Sequence, residues 1–131
     1  MELHEAGSAE RRAHVLVIKL EGEFDLSDGD RLRDAFFAFT QAEFVVVDFH
    51  RVSYVDSSVL RCLFALRQKT LERGIRLALV GATGSVAHVF EICRFDRLFE
   101  IRETIGDVSG AAAFDGAEIR TLTLVSRAAE V

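Results

Sequence analysis

Asp56, Ser57 and Ser58 stand in a row at the end of an apolar, aromatic stretch and at the start of a helical pattern. An acid beside two hydroxyls at such a junction could do three kinds of chemistry. It could cap the helix, because Asp and Ser side chains accept the N–H groups that a first turn leaves unpaired. It could supply a nucleophile, given a base and an oxyanion hole. It could carry or receive a phosphate, since the positive end of a helix favours negative charge. Capping does not require the second serine but tolerates it. Catalysis has little support: the chain lacks a G-x-S-x-G elbow, and His88, the histidine at a later junction, falls in a helical pattern beside an apolar face. The third possibility is a regulated docking surface, with a serine at the helix start as phosphate acceptor. A phosphate there would add roughly −1.5 to −2 charges. It would barely disturb the fold, yet it would repel an acidic or apolar partner laid across the helix.

Asp25 belongs to the same account. It follows one strand-like run as Asp56 follows another, and loops after parallel strands collect at one sheet edge, where sites form. Two acids there could hold a magnesium ion or a partner's arginine. Asp25 could equally be a turn residue bonded to its own backbone.

Periodicity outlines the strands and helices that carry these residues. His14 to Leu20 reads as a strand closed by Gly22, with Gly22-Glu23-Phe24-Asp25 as a turn. Ser27 is expected to cap a helix, with Asp30 completing a capping-box-like pair and Leu32, Ala35, Phe36 and Phe39 forming its apolar face. Residues 44–49 are apolar nearly throughout, which predicts a strand buried on both faces. A helix follows from Ser57 to about Arg73, ended by Gly74. Its buried stripe is Val59, Cys62, Leu63, Leu66 and Thr70, with Leu60, Phe64 and Leu71 on one flank and Arg61, Gln68 and Glu72 opposite. Arg76 to Val80 is the next strand. Gly84-Ser85 opens a helix with Val86, Val89, Phe90 and Cys93 on one face. Residues 98–101 form a short strand, and Asp107 is expected to cap a weak last helix through 111–114. Leu122 to Val125 is strand-like, without a derivable place.

This alternation predicts an α/β fold: a mostly parallel sheet of four to five strands with about four helices, the first strand or two adding an antiparallel edge. The 131 residues fit one domain. Residues 1–11 are expected to be a tail or edge strand, 12–116 the domain and 117–131 a C-terminal tail. A net charge of −5 argues against a sequence-independent nucleic-acid binder, which needs a basic face. Arg61, Arg67, Lys69, Arg73 and Arg76 lie close in sequence and read as a solvated helix face before a local basic patch. Cys62 and Cys93, without a CxxC partner, read as buried free thiols of a reducing compartment. The four histidines are scattered singly, so no metal site is expected. No signal peptide and no span of roughly 18 apolar residues is present, which points to the cytoplasm.

Gly22-Glu23-Phe24-Asp25 resembles the G-E-[LF]-D turn of STAS domains, the anti-sigma-factor antagonist family. Val47-Asp48-Phe49 through Asp56-Ser57-Ser58 resembles that family's strand followed by D-S-[ST]-G-L. Ile75 to Val80, Ser85-Val86 to Phe90 and Arg97-Leu98-Phe99 match its later elements in order, so the resemblance spans roughly residues 12–115. It implies a STAS-like fold and a binding module rather than an enzyme, with no cofactor. It implies as partner an anti-sigma factor with a serine-kinase fold, which phosphorylates the serine after the motif aspartate, and a phosphatase that reverses the change. The acceptor is then Ser57, with Ser58 as the neighbouring alternative. The dephosphorylated form would bind the anti-sigma factor and free the sigma factor. Asp25, Asp56, Ser57, Ser58, Leu60, Arg61 and Phe64 form the expected partner-binding surface. Phe64 stands about 140° round the helix from Val59, at the rim of the buried stripe, where it reads either as ordinary core at the helix edge or as a binding hot spot. The chain departs from the family at Val59, where glycine is usual; a valine is expected either to narrow a partner's approach or to alter the choice of partner. Relatives of such domains also occur in stress-signalling assemblies, anion-transporter tails and lipid-transport complexes. A non-phosphorylated adaptor is therefore one alternative. A nucleotide-binding or hydrolytic domain using Asp25, Asp56 and Ser57 is another.

Overall fold

The protein is described by a computed structural model over residues 12–38 and 41–130. The expected tail or edge strand at 1–11, and Phe39 of the first helical face, lie outside these residues. Five strands form one sheet: β1 (His14–Phe24), β2 (Phe44–Val55), β3 (Arg76–Val80), β4 (Glu100–Arg102) and β5 (Glu118–Val125). Their order across the sheet is β4-β3-β2-β1-β5, and every neighbouring pair is parallel. Among the described residues three α-helices join them: α1 (Gly29–Phe36), α2 (Ser57–Glu72) and α3 (Gly84–Ile92).

The apolar alternation of the strands divides the interior in two. Leu16, Ile18, Val45, Val47 and Leu79 face the helices, packing on Leu32 and Phe36 of α1, Val59, Leu63 and Leu66 of α2, and Val86 and Phe90 of α3. Val15, Val17, Val46, Ala78 and Val80 face the other way, under a cover of short turns that brings Val108, Ile105 and Phe114 onto them. The central strand is thus buried on both faces in its amino half, as its apolar run requires.

Several expectations are corrected. β1 is no antiparallel edge: it lies between β2 and β5 and is parallel to both. The expected C-terminal tail carries the fifth strand, which pairs with β1 from His14↔Glu118 to Glu21↔Val125. β1 and β2 also run further than their apolar cores, to Phe24 and Val55. Gly22 is therefore inside a strand. At φ 118° it takes up a register shift, and a Cβ on it would overlap the Ser126 hydroxyl. The helix expected from Ser27 begins instead as a 3-10 turn, Leu26–Asp28, whose capping box pairs Asp25 with Asp28. The expected last α-helix is two 3-10 turns, Ile105–Asp107 and Ala111–Phe114. In the first of these Asp107 answers a cap supplied by Thr104. Cys93 is exposed, whereas Cys62 is buried.

Candidate functional site

The site grows from one register pair. Phe24 of β1 and Val55 of β2 are partners in the sheet, and both are buried. The next residue on each chain is an aspartate, so Asp25 and Asp56 emerge side by side at the carboxyl edge.

The two aspartates cap in the same way. Ser27 donates its N–H to Asp25 Oδ1 at 2.9 Å and its hydroxyl to the same oxygen at 2.6 Å. Ser58 donates its N–H to Asp56 Oδ1 at 2.9 Å and its hydroxyl at 2.5 Å, and Val59 adds a longer N–H bond at 3.3 Å. These bonds satisfy N–H groups that the first turns would leave orphaned. The Ser27 hydroxyl, then its N–H, hold the Asp25 carboxyl below the usual carboxylate range.

This geometry separates the two serines. The Ser58 hydroxyl is committed to the cap. Ser57, the first helical residue of α2, is exposed and stands outside the bonds that Asp56 accepts.

Asp28 was not picked out from the sequence. It is 1% exposed, yet it joins three segments. Its Oδ2 accepts the Asp25 N–H at 3.0 Å and its Oδ1 accepts the Arg127 N–H at 2.8 Å. Arg31 lies 3.8 Å away and also donates to the Val125 carbonyl at 2.9 Å. The loop carrying Asp25 is thereby tied to the end of β5. The signal available in sequence was the repeated D-x-S spacing of Asp25-Leu26-Ser27 and Asp56-Ser57-Ser58, which marks Asp25 as the cap and Asp28 as its capping-box mate.

A groove of about 410 Å³ runs between the starts of α1 and α2, lined by Leu26, Ser27, Arg33, Ser58, Arg61 and Cys62 among others. Leu26 is 75% exposed at its edge, an apolar side chain offered to solvent. Burial raises the Cys62 thiol pKa, with Arg33 and Arg61 pulling the other way.

The groove gathers the Asp25 loop, Ser58 and Arg61, but not Phe64. At 100° per residue, Ser57, Leu60, Arg61 and Phe64 share a sector of about 100° on α2. Within it Arg61 leans to the groove and Phe64 to the opposite flank. The Phe64 ring packs edge-on against Phe95, with centroids 5.2 Å apart, and tilts toward Phe99 at 6.1 Å. It remains 42% exposed. Leu60 is half-buried against the main core. Val59 is fully buried. Its side chain faces the core and so does not narrow an approach from outside, which corrects the expectation attached to it.

Asp25 and Asp56 each spend an oxygen on their own caps. No group of three or more His, Cys, Asp or Glu side chains is close enough to hold a metal ion among the described residues. No helix among them is long and apolar enough to cross a membrane.

The profile of the STAS domain matches residues 7–108. A STAS-domain containing protein of Pseudomonas aeruginosa is 32% identical over 88 residues, covering 66% of this chain and 86% of that one. The anti-sigma-B factor antagonist of Listeria monocytogenes is 26% identical over 103 residues, covering 77% of this chain and 90% of its own. Among solved structures, a sulfate transporter family protein from Wolinella succinogenes shares the fold with a TM-score of 0.65 at 17% identity, over 77% of this chain and 88% of that one. With this profile match over most of its length, and with both motif aspartates at one sheet edge, the chain belongs to the STAS-domain family.

Proposed function

We propose that this STAS domain is an anti-sigma-factor antagonist switched by phosphorylation of Ser57. The observation that carries it is the division of labour at the start of α2. Ser58 is held by the Asp56 cap, while Ser57 is exposed beside it and outside the bonds that Asp56 accepts. The name of the Listeria relative supports the choice of partner class.

The partner is an anti-sigma factor with a serine-kinase fold, and the chemistry belongs to it. The γ-phosphoryl group of its ATP passes to Ser57 Oγ, the hydroxyl proton leaves, and ADP is released. A phosphatase hydrolyses the phosphoserine back to serine. The unmodified domain docks through the groove and the outward face of α2, using Asp25, Asp56, Ser57, Ser58, Leu60, Arg61 and Phe64. Docking occupies the anti-sigma factor and frees the sigma factor in the cytoplasm, so the domain regulates transcription without touching nucleic acid. Phosphate on Ser57 places charge in the middle of this surface, where repulsion and desolvation oppose docking.

The test is recovery of the protein from its own cell with its bound partner, and mapping of phosphate on the two serines. A kinase-fold anti-sigma factor with phosphate on Ser57 supports the proposal. A transport ATPase and an unmodified α2 start would favour the adaptor, the second reading, which the fold shared with a sulfate transporter family protein keeps in view. Steady turnover of a small substrate without any partner would favour an enzyme.

A further inference from the structure

A phosphate on Ser57 would sit beside the Asp56 carboxylate and needs a counter-charge. Arg61 stands four residues on, one turn along the outward face of α2, and lines the groove. The nearby arginines are engaged. Arg33 pairs with Asp30 at 2.7 Å, Arg31 serves Asp28 and the Val125 carbonyl, and Arg67 donates to the Leu98 carbonyl at 2.7 Å. Arg61 is exposed and forms no ion pair among the described residues. Arg33 and Arg61 both line the groove beside Cys62.

We propose that Arg61 clasps the phosphate on Ser57, and that this clasp takes the guanidinium away from the docking groove. An acid four residues N-terminal to a base is the favourable orientation on a helix. The phosphate offers three acceptor oxygens and the guanidinium a fork of donors, so the pair can form two charge-assisted bonds across one turn. Phosphorylation then changes the surface twice: it adds negative charge at Ser57, and it removes the cation of the groove's α2 wall. The inference rests on Ser57 as acceptor and deepens that reading by naming the residue through which the phosphate acts.

The experiment installs phosphoserine at position 57 during translation, without a kinase, and follows its second ionisation by phosphorus NMR in the full chain. The free group titrates near about pH 6. A clasp favours the dianion, so the ionisation constant in wild type should exceed that of Arg61→Gln by about twofold or more. Arg33→Gln should match wild type. Equal titration of wild type and Arg61→Gln, or a change that follows Arg33 instead, would overturn the clasp. A kinase that modifies another residue would overturn the acceptor assignment and leave this titration as it is, so the two failures are distinguishable.

Discussion

Asp25 and Asp56 are the residues immediately beyond the buried register pair Phe24–Val55, and each turns its Oδ1 onto the N–H and hydroxyl of the serine two positions later. Two parallel strands thus end in two copies of one device. The copies differ at the middle residue, Leu26 in one and Ser57 in the other, both exposed. An apolar side chain and a serine are therefore exposed at equivalent positions of adjacent junctions.

Removing the cap at α2 separates structure from signalling. Asp56→Ala should lower stability by about 0.5–2 kcal/mol in urea unfolding, the usual cost of an N-cap. Asp56→Asn keeps an accepting oxygen and should stay close to wild type. An Asp56→Ala variant as stable as the parent would show that the cap contributes nothing measurable.

Asp25 gives a pH signature. Its carboxyl is held below the ordinary value by Ser27. A lowered folded-state value means that the stabilisation is fully present above the unfolded value of about 3.9 and fades as pH falls through the lower folded one. Wild type should therefore be more stable than Asp25→Asn at pH 5, with the gap closing below pH 4 in thermal unfolding. A gap that widens on acidification would contradict the sign.

Phe64 and Phe95 form a graded pair. Phe95 is fully buried, so Phe95→Ala should cost about 3–5 kcal/mol. Phe64, 42% exposed on the same cluster, should cost less than half of that. If the outward face of α2 is the docking surface, Phe64→Ala should lose more binding than folding free energy. Comparing melting with calorimetric affinity checks this, and a large melting drop with unchanged affinity would assign Phe64 to the core alone.

How much was legible follows from where the packing information lies. The amino half of β2 is an unbroken apolar run because both its faces are covered, and α2 announces itself through Val59, Cys62, Leu63 and Leu66 at helical spacing. The carboxyl halves of β1 and β2 escape the sequence reading because one face there meets solvent: Glu23, His50 and Arg51 are exposed and break the apolar pattern. The place of β5 is a long-range choice, and nothing within Leu122-Thr123-Leu124-Val125 says that it pairs with β1. At the site, the acids and serines were found by type and spacing. Two things needed three dimensions: Asp28 bridging to Arg127, and Phe64 leaning away from the groove.

Asp28 tests whether the last segment is part of the fold. Asp28→Ala leaves the Asp25 and Arg127 N–H groups without their acceptor and should cost about 2–4 kcal/mol. It should also speed hydrogen exchange at 118–127 more than at α3. Equal protection in both regions would show that the C-terminal segment is held by other contacts.

If the state of Ser57 sets affinity for an anti-sigma factor, calorimetry on three forms of the domain reads it out. With the partner recovered from the native cell, wild type and Ser57→Ala should bind within about threefold of each other. Ser57→Asp should bind at least about tenfold more weakly, a difference of about 1.4 kcal/mol. Equal affinities for all three forms would show that Ser57 is no switch.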